Sequence, residues 1–364
     1  LEVLMEILEI LYEKDIGKLP FINRKIKIPE GKNAILFGTK RSGKTFLIKE
    51  YLSRFPKKKR LYIDMSDLRM DIHSIKSNLQ EFINKKGIEI VAIENYNEQI
   101  PLPETKQLIL SSEKPLIKEN FETIHIRNLD FEEYIAFEKK SQDIKAIFSN
   151  FLKNGTIPEI IQQPEYNKIA RIQEILTLAF KEDSLFLTFR EAALSQGHKS
   201  SPYHLFTKLK SKTRISKDRF YSNYEELKKR GYIYSVEKYG SSNAAKKIYL
   251  FDFTIKNALT FEKEFSKMFE NMVFLELFKK GGSVFYYDYI DFLLPDISHA
   301  VICVPFGNEV MIQKKVHKAL KGLNEHKIKE IDIVTVGSSF EFEENQIRCH
   351  VLPFYEWALI EMEG

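Results

Sequence analysis

Cysteine is almost absent, with only Cys303 and Cys349 among 364 residues. Two thiols without metal-ligand spacing around them exclude a disulfide framework and a thiolate metal centre. They read instead as buried apolar fillers in a reducing compartment. No stretch approaches the ~18 uninterrupted apolar residues of a transmembrane helix, so a membrane partner is not expected. Internal repeats and low-complexity tracts are also missing, which removes solenoids and disordered arrays. The opening LEVLMEILEILYEKD is amphipathic and acidic, the wrong character for a signal or transit peptide. These absences lead to the expectation of a cytoplasmic protein.

What remains is ordinary globular material, 43% hydrophobic and 29% charged. The chain is too long for one simple core, so two or three domains are expected. The net charge of +5 is unevenly distributed. Residues 199–247 hold ten Lys and three Arg against one Asp and three Glu, a local surplus of nine, so the rest of the chain is net negative. A concentrated basic segment in an otherwise acidic chain is a feature to be explained.

The first 155 or so residues alternate short apolar runs (NAILFG, RLYIDMSD, IEIVAIEN, KQLILSS) with helical stretches such as TFLIKEYLSRF. Strands alternating with helices predict a parallel sheet covered on both faces. From about Lys168 successive helices follow. KIARIQEILTLAF carries an apolar stripe, and TFREAALSQG is expected to open with Thr188 and Glu191 in capping-box spacing. SSPYHLFTKLK has Ser201 at the N-cap and Pro202 at the first helical position, and SKDRFYSNYEELKKRG starts at Ser216. The strands YIYSVEKY and KIYLFDF then make a hairpin. Helices followed by a hairpin outline a winged helix. A third unit from about Phe261 opens on EFSKMFENMVFLELFKKG and continues through SVFYYDY, DFLLP, AVICVPF, a helix at QKKVHKALKGLNEH, EIDIVTVG and IRCHVLPFYEWAL.

Chemistry concentrates in GTKRSGKT at residues 38–45, a full G-x-x-x-x-G-K-[ST] match after an apolar strand and before an apolar-faced helix. Glycines at those positions let backbone N–H groups curl around phosphate oxygens at a helix N-terminus. The expected ligand is ATP with Mg²⁺, held by Gly38, Thr39, Lys40, Arg41, Ser42, Gly43, Lys44, Thr45 and Phe46. Lys44 bridges the β- and γ-phosphates and the Thr45 hydroxyl ligates the metal. The strand IEIVAIEN supplies Glu94 for the metal and Asn95 for the attacking water. Asn95 orients water but cannot accept its proton, so slow hydrolysis is expected, with Lys44, Glu94 and Asn95 as the catalytic set. Asp64 and Asp67 either assist the metal or shape loops, and Ser111 and Ser112 stand where a γ-phosphate sensor belongs.

These residues resemble the prokaryotic AAA+-like P-loop ATPases with a C-terminal domain of unknown function, over nearly the whole chain. IHIRNLDFEEYIAF is similar to that family's L-x-P-L-S-F-x-E-[FY] segment at Leu129, Phe131, Glu133 and Tyr134. FLKNGTIPEI is similar to Y-L-x-x-G-G-[FY]-P at Leu152, Gly155 and Pro158. KKIYLFDFTIKNAL, FENMVFLELFKKG and HVLPFYEWAL resemble three C-terminal elements. The resemblance implies an α/β chain in three parts: a P-loop NTPase domain (AAA+-like, parallel sheet) at 1–158, a helical and winged-helix domain at 159–255, and a restriction-endonuclease-like α/β domain at 256–364. Two departures stand out. The family's Asp-Glu pair reads Glu94-Asn95, and its Gly-Arg before the first segment is missing, Arg127 being the nearest arginine.

Lys217, Arg219 and Asn223 are expected near the exposed start of the second winged-helix helix, with Lys246 and Lys247 on the wing, all directed at double-stranded DNA. A solvated face, a protein partner or a homo-oligomer contact is the alternative. Two function classes follow. One is a slow ATPase coupling nucleotide state to a DNA-binding winged helix. The other is a non-hydrolysing, nucleotide-gated regulator that binds DNA or protein. The terminal domain is not expected to be a nuclease. It keeps acids at Glu270 and Asp291, but Cys303 and Pro305 stand where a metal-binding Glu and a Lys belong.

Overall fold

The computed structural model describes residues 2–17, 24–138 and 143–360. The chain divides after Arg127 into two compact units, 1–127 and 128–364.

The first unit is a parallel sheet with helices on both faces. In chain order it runs α1 (Glu2–Glu13), β1 (Asn33–Phe37), α2 (Lys44–Ser53), β2 (Arg60–Asp64), α3 (Ile72–Lys86), β3 (Ile90–Glu94), β4 (Gln107–Ser112) and β5 (Phe121–His125). The strand order is β2-β3-β4-β1-β5, and every pairing is parallel. Side-chain alternation sorts each strand between two cores. Ile35, Leu61, Ile63, Val91, Ile93, Leu108 and Leu110 pack with α1 and α3. Ala34, Leu36, Tyr62, Ile90, Ala92 and Ile109 pack with Leu47, Ile48, Tyr51 and Leu52 of α2. Glu94 has the parity of Ile90 and Ala92, which turns it toward α2. Helix α3 is set by the Asp71 carboxylate, which accepts from the His73 and Ser74 N–H groups, and by Gly87 at its end in the left-handed region.

The second unit begins with α4 (Phe131–Phe137), α5 (Ile144–Asn154) and α6 (Pro158–Ile161). Phe131, Tyr134, Phe148 and Phe151 belong to a core shared with Phe269, Val273, Phe292 and Phe354. Segment 128–158 therefore lies in the second unit, where the motif resemblance had put it in the phosphate-binding domain. The short polar motifs here are packing joints. The Asp252 carboxylate accepts from the Thr156 N–H, the Thr156 hydroxyl at 2.7 Å and the Thr254 N–H at 2.8 Å. A Cβ on Gly155 would stand 2.5 Å from that carboxylate, so glycine is required there.

Next come α7 (Lys168–Ala179), α8 (Asp183–Leu194), β6 (Lys199–Ser200), α9 (Pro202–Lys210), α10 (Lys217–Lys229), β7 (Ile233–Val236), β8 (Lys246–Leu250) and α11 (Ile255–Leu259). A three-stranded sheet ordered β6-β8-β7 accompanies the helices. Ser201 and Ser216 cap α9 and α10 as expected. The capping box at Thr188 is not formed: α8 starts at Asp183, and Thr188 lies in its interior with its hydroxyl on the Ser184 carbonyl at 2.8 Å. Phe186 and Leu187 follow the same apolar pattern, so the helix extends backward past the expected cap.

The remainder is α12 (Phe265–Lys280), β9 (Phe285–Tyr287), β10 (Ile290–Leu294), β11 (His299–Cys303), α13 (Glu309–Glu325), β12 (Glu330–Thr335), β13 (Phe340–Glu344), β14 (Ile347–Pro353) and α14 (Phe354–Trp357). They form a mixed six-stranded sheet ordered β13-β14-β12-β11-β10-β9. Cys303 and Cys349 are buried and unbonded, and burial pushes the Cys349 thiol up to about 11.

Candidate functional site

Parallel strands bring their carboxyl ends to one edge, and ligands of open α/β sheets bind at that edge. Register pairs Asp64 with Glu94, Phe37 with Ser112, and Phe37 with His125. The 38–46 segment leaves β1 among these residues. Gly38 has φ 154°, and a Cβ there would stand 2.2 Å from the Ile126 carbonyl oxygen, a clash between two backbones that no side-chain motion relieves. Gly43 has φ 100° and starts α2 with no side-chain cap and no acid in the first turn. A helix start led by glycine, with no acid in its first turn, presents the positive end of the helix dipole to the loop, which is the arrangement that attracts an anion.

The Lys44 ammonium is buried and donates to the Gly38 and Thr39 carbonyls at 2.7 and 2.8 Å. Arg41 takes a left-handed φ of 64°. The Lys40 ammonium lies 2.7 Å from the Glu113 carboxylate just past β4. The Ser42 hydroxyl is buried without a hydrogen-bond partner. Thr45 donates its hydroxyl to Glu94 Oε1, and the Tyr62 hydroxyl donates to Glu94 Oε2. Burial, then the Glu94 charge, holds the Tyr62 phenol far above its usual range, so it stays a donor at all ordinary pH. A buried lysine inside a glycine curl, an orphaned serine hydroxyl, and a threonine hydroxyl on an acid fit a triphosphate and its magnesium. Among the described residues no cluster of three or more His, Cys, Asp or Glu could hold a metal alone. Mg²⁺ is ordinarily held by one or two carboxylates plus phosphate oxygens, so Glu94 and Thr45 are the residues that would hold it beside a bound nucleotide.

Asn95 sits beyond β3 with φ 54°. Its side-chain amide donates to Asp64 Oδ1 at 2.8 Å and to the Ser66 hydroxyl at 3.2 Å. Its backbone N–H donates to the Ser111 hydroxyl at 3.2 Å. Asp64 thus holds Asn95. Asp67 accepts from Arg69, closing its own loop, and Ser112 accepts the Lys114 N–H at 3.2 Å.

Three contributors escaped sequence reasoning. The buried Arg24 donates to the Ser42 carbonyl at 3.0 Å and the Arg127 carbonyl at 2.8 Å, tying the loop to the chain after β5. Tyr62 braces Glu94. His125 stacks on Phe37 with centroids 4.4 Å apart; burial, then Arg127 and Lys44, lower it to about 4, leaving it neutral at pH 7. Only Tyr62 had a legible signal, its place on a strand neighbouring the acid.

The expected nucleic-acid residues are not brought together. Asn223 is buried, 3% exposed, and donates to Ser184 and Thr188 at 3.2 and 3.3 Å, which corrects its placement on an exposed helix start. Lys247 is also corrected: it is 5% exposed and paired with Glu270 and Asp291. Strand alternation turns it inward. Arg219 is exposed but paired with Glu182, and Lys246 is paired with Glu237. Lys217 remains exposed on α10.

No protein-family model matches the sequence. The chain is 23% identical, over 98% of its length and 94% of the other's, to an uncharacterized protein of Methanocaldococcus jannaschii. A solved Walker-type ATPase of Pyrococcus abyssi matches 62% of this chain and 90% of that one, with TM-score 0.42 and 17% identity. The ORC1 protein of Aeropyrum pernix in complex with DNA matches 70% and 90%, with TM-score 0.32 and 12% identity. Likenesses this distant do not assign the chain to a family.

Proposed function

We propose that the chain is an AAA+-like P-loop protein that binds ATP with Mg²⁺ at residues 38–46 and hydrolyses it slowly. The observation that carries this reading is the Thr45–Glu94 contact beside a Lys44 ammonium that points into the glycine loop. In it, backbone N–H groups and Lys44 hold the phosphates, and Thr45 and Glu94 hold the ion, which supplies charge neutralisation at the γ-phosphate. Slow turnover follows from Asn95, whose amide is committed to Asp64 and Ser66 and offers no base. This favours nucleotide gating over rapid cycling. A fluorescent ATP analogue titrated with and without Mg²⁺ tests the site: Thr45→Ala removes most of the Mg²⁺ enhancement while EDTA affinity stays close to wild type. An unchanged Mg²⁺ enhancement contradicts the assignment.

The winged-helix reading draws support from the order α8, β6, α9, α10, β7, β8 with its three-stranded sheet. In our reading duplex DNA meets its phosphates at Lys208, Lys210, Arg214 and Lys217, which are exposed, and not at Asn223 or Lys247. The terminal unit retains an endonuclease-like outline without cutting nucleic acid: its Asp291 carboxylate is already bonded to Lys247, Lys315 and the Cys303 N–H.

A further inference from the structure

Inside the second unit, four charged side chains from four elements converge on one point. Lys247 Nζ, from β8, lies 2.6 Å from Glu270 Oε1 of α12 and 3.1 Å from Asp291 Oδ1 of β10. Lys315 Nζ, from α13, lies 3.0 Å from Asp291 Oδ2 and 2.7 Å from the Cys303 carbonyl oxygen of β11. The Cys303 N–H donates to Asp291 Oδ2 at 2.9 Å, and the Tyr249 hydroxyl donates to Glu270 Oε1 at 2.6 Å. Lys247 and Glu270 side chains are each 6% exposed, and Asp291 15%.

Two carboxylates from separate elements and a main-chain carbonyl make the oxygen set that a hard divalent cation takes. Here each of those groups faces an ammonium. The Lys247 and Lys315 ammonium charges balance two carboxylate charges, and Lys267 Nζ adds a third 3.4 Å from Glu270 Oε2, so little attraction is left for a further cation. Burial works against the Lys247 charge, but Asp291 and Glu270 outweigh it and hold the ammonium above its ordinary pKa. Asp291 is held well below the carboxylate range by Lys247 and Lys315 despite its burial. Lys247 and Asp291 therefore face each other as a charged pair at neutral pH.

The same hairpin is fastened to the sheet edge by backbone. The Tyr239 N–H donates to the Tyr286 carbonyl and the Tyr286 N–H to the Glu237 carbonyl, both at 2.9 Å, and Lys238 lies 2.7 Å from Asp288. We propose that Lys247 and Lys315 are resident cations of a divalent-metal-type carboxylate site, which serves as the socket that fastens the β7–β8 hairpin to the terminal sheet. This assignment stands apart from the nucleotide reading, because it uses no residue of the first unit.

Thermal unfolding of the full chain, without nucleotide, tests it in EDTA and in millimolar Mn²⁺. Wild type shows no selective gain with Mn²⁺. Lys247→Ala lowers Tm by about 10 °C in EDTA, since it removes the ammonium that two buried carboxylates share. It recovers at least half of that loss in Mn²⁺, and Lys247→Ala with Asp291→Asn recovers none. A Lys247→Ala protein with wild-type Tm, or equal Mn²⁺ recovery in the single and double variants, overturns the assignment. So does Mn²⁺ stabilisation of wild type that Asp291→Asn abolishes. Should Lys247→Ala not fold, Lys247→Met with Glu270→Gln decides: it unfolds above Lys247→Met alone if the socket is real, and at or below it if not.

Discussion

In the proposed site Asn95 occupies the place where a general base would accept a proton from water, and replacing it with Glu is the obvious way to accelerate turnover. The structure says that this single change fails. The Asn95 amide donates to the Asp64 carboxylate at 2.8 Å, and a hydrogen bond to a charged group contributes about 1.5–3 kcal/mol. Its φ of 54° suits Asn, whereas Glu in the left-handed region costs about 1 kcal/mol more. A Glu also sets two carboxylates against each other, so one of them takes up a proton near neutrality and loses its value as a base. Asn95→Glu should therefore cost about 3 kcal/mol, lowering Tm by roughly 10 °C, without faster phosphate release. Asp64→Asn with Asn95→Glu reverses the hydrogen bond and keeps the charge. It should restore most of the Tm and raise steady-state phosphate release at least tenfold. Faster release from Asn95→Glu alone, at wild-type Tm, would refute the reasoning.

Glu276 is buried on α12 and accepts the Phe131 N–H at 3.0 Å; burial raises its pKa from 4.5 to about 7. The folded state then binds the extra proton between those values, so stability falls as pH rises from 4.5 to 7 and is level above. Glu276→Gln should stabilise the protein by roughly 2–3 kcal/mol at pH 8 and hardly at all at pH 4.5, as read by denaturant melts at both pH values. Duplex DNA binding through four phosphate contacts should weaken with salt at a log–log slope of about −3.6. Lys208→Glu with Lys217→Glu should flatten that slope, whereas Asn223→Ala should leave it unchanged; salt-independent binding would contradict the phosphate reading.

The strand–glycine loop–helix unit was legible because its signal is local: glycines, a lysine and a threonine at fixed spacing between a strand and a helix. The five-stranded parallel sheet was largely legible too, since strands covered on both faces read as continuous apolar runs, although β5 was missed. FETIH is half-exposed at the sheet edge and carries no such run. What the sequence hid was direction. Asn223 and Lys247 are polar residues in a basic stretch, and only the packing of α8 against α10, and of β8 against α12, shows that they point inward. Asn95 read as a weakened catalytic residue; its backbone angle gives a second reason for its presence.

The central claim is nucleotide binding at the glycine loop, and the most direct measurement is ATP–Mg²⁺ affinity of wild type and Lys44→Ala by equilibrium titration. Lys44 places its ammonium between the Gly38 and Thr39 carbonyls inside the loop, and each charge-assisted bond it transfers to phosphate contributes about 1.5–3 kcal/mol. Affinity should fall tenfold or more while circular dichroism stays unchanged. Equal affinity in two folded proteins would contradict the account.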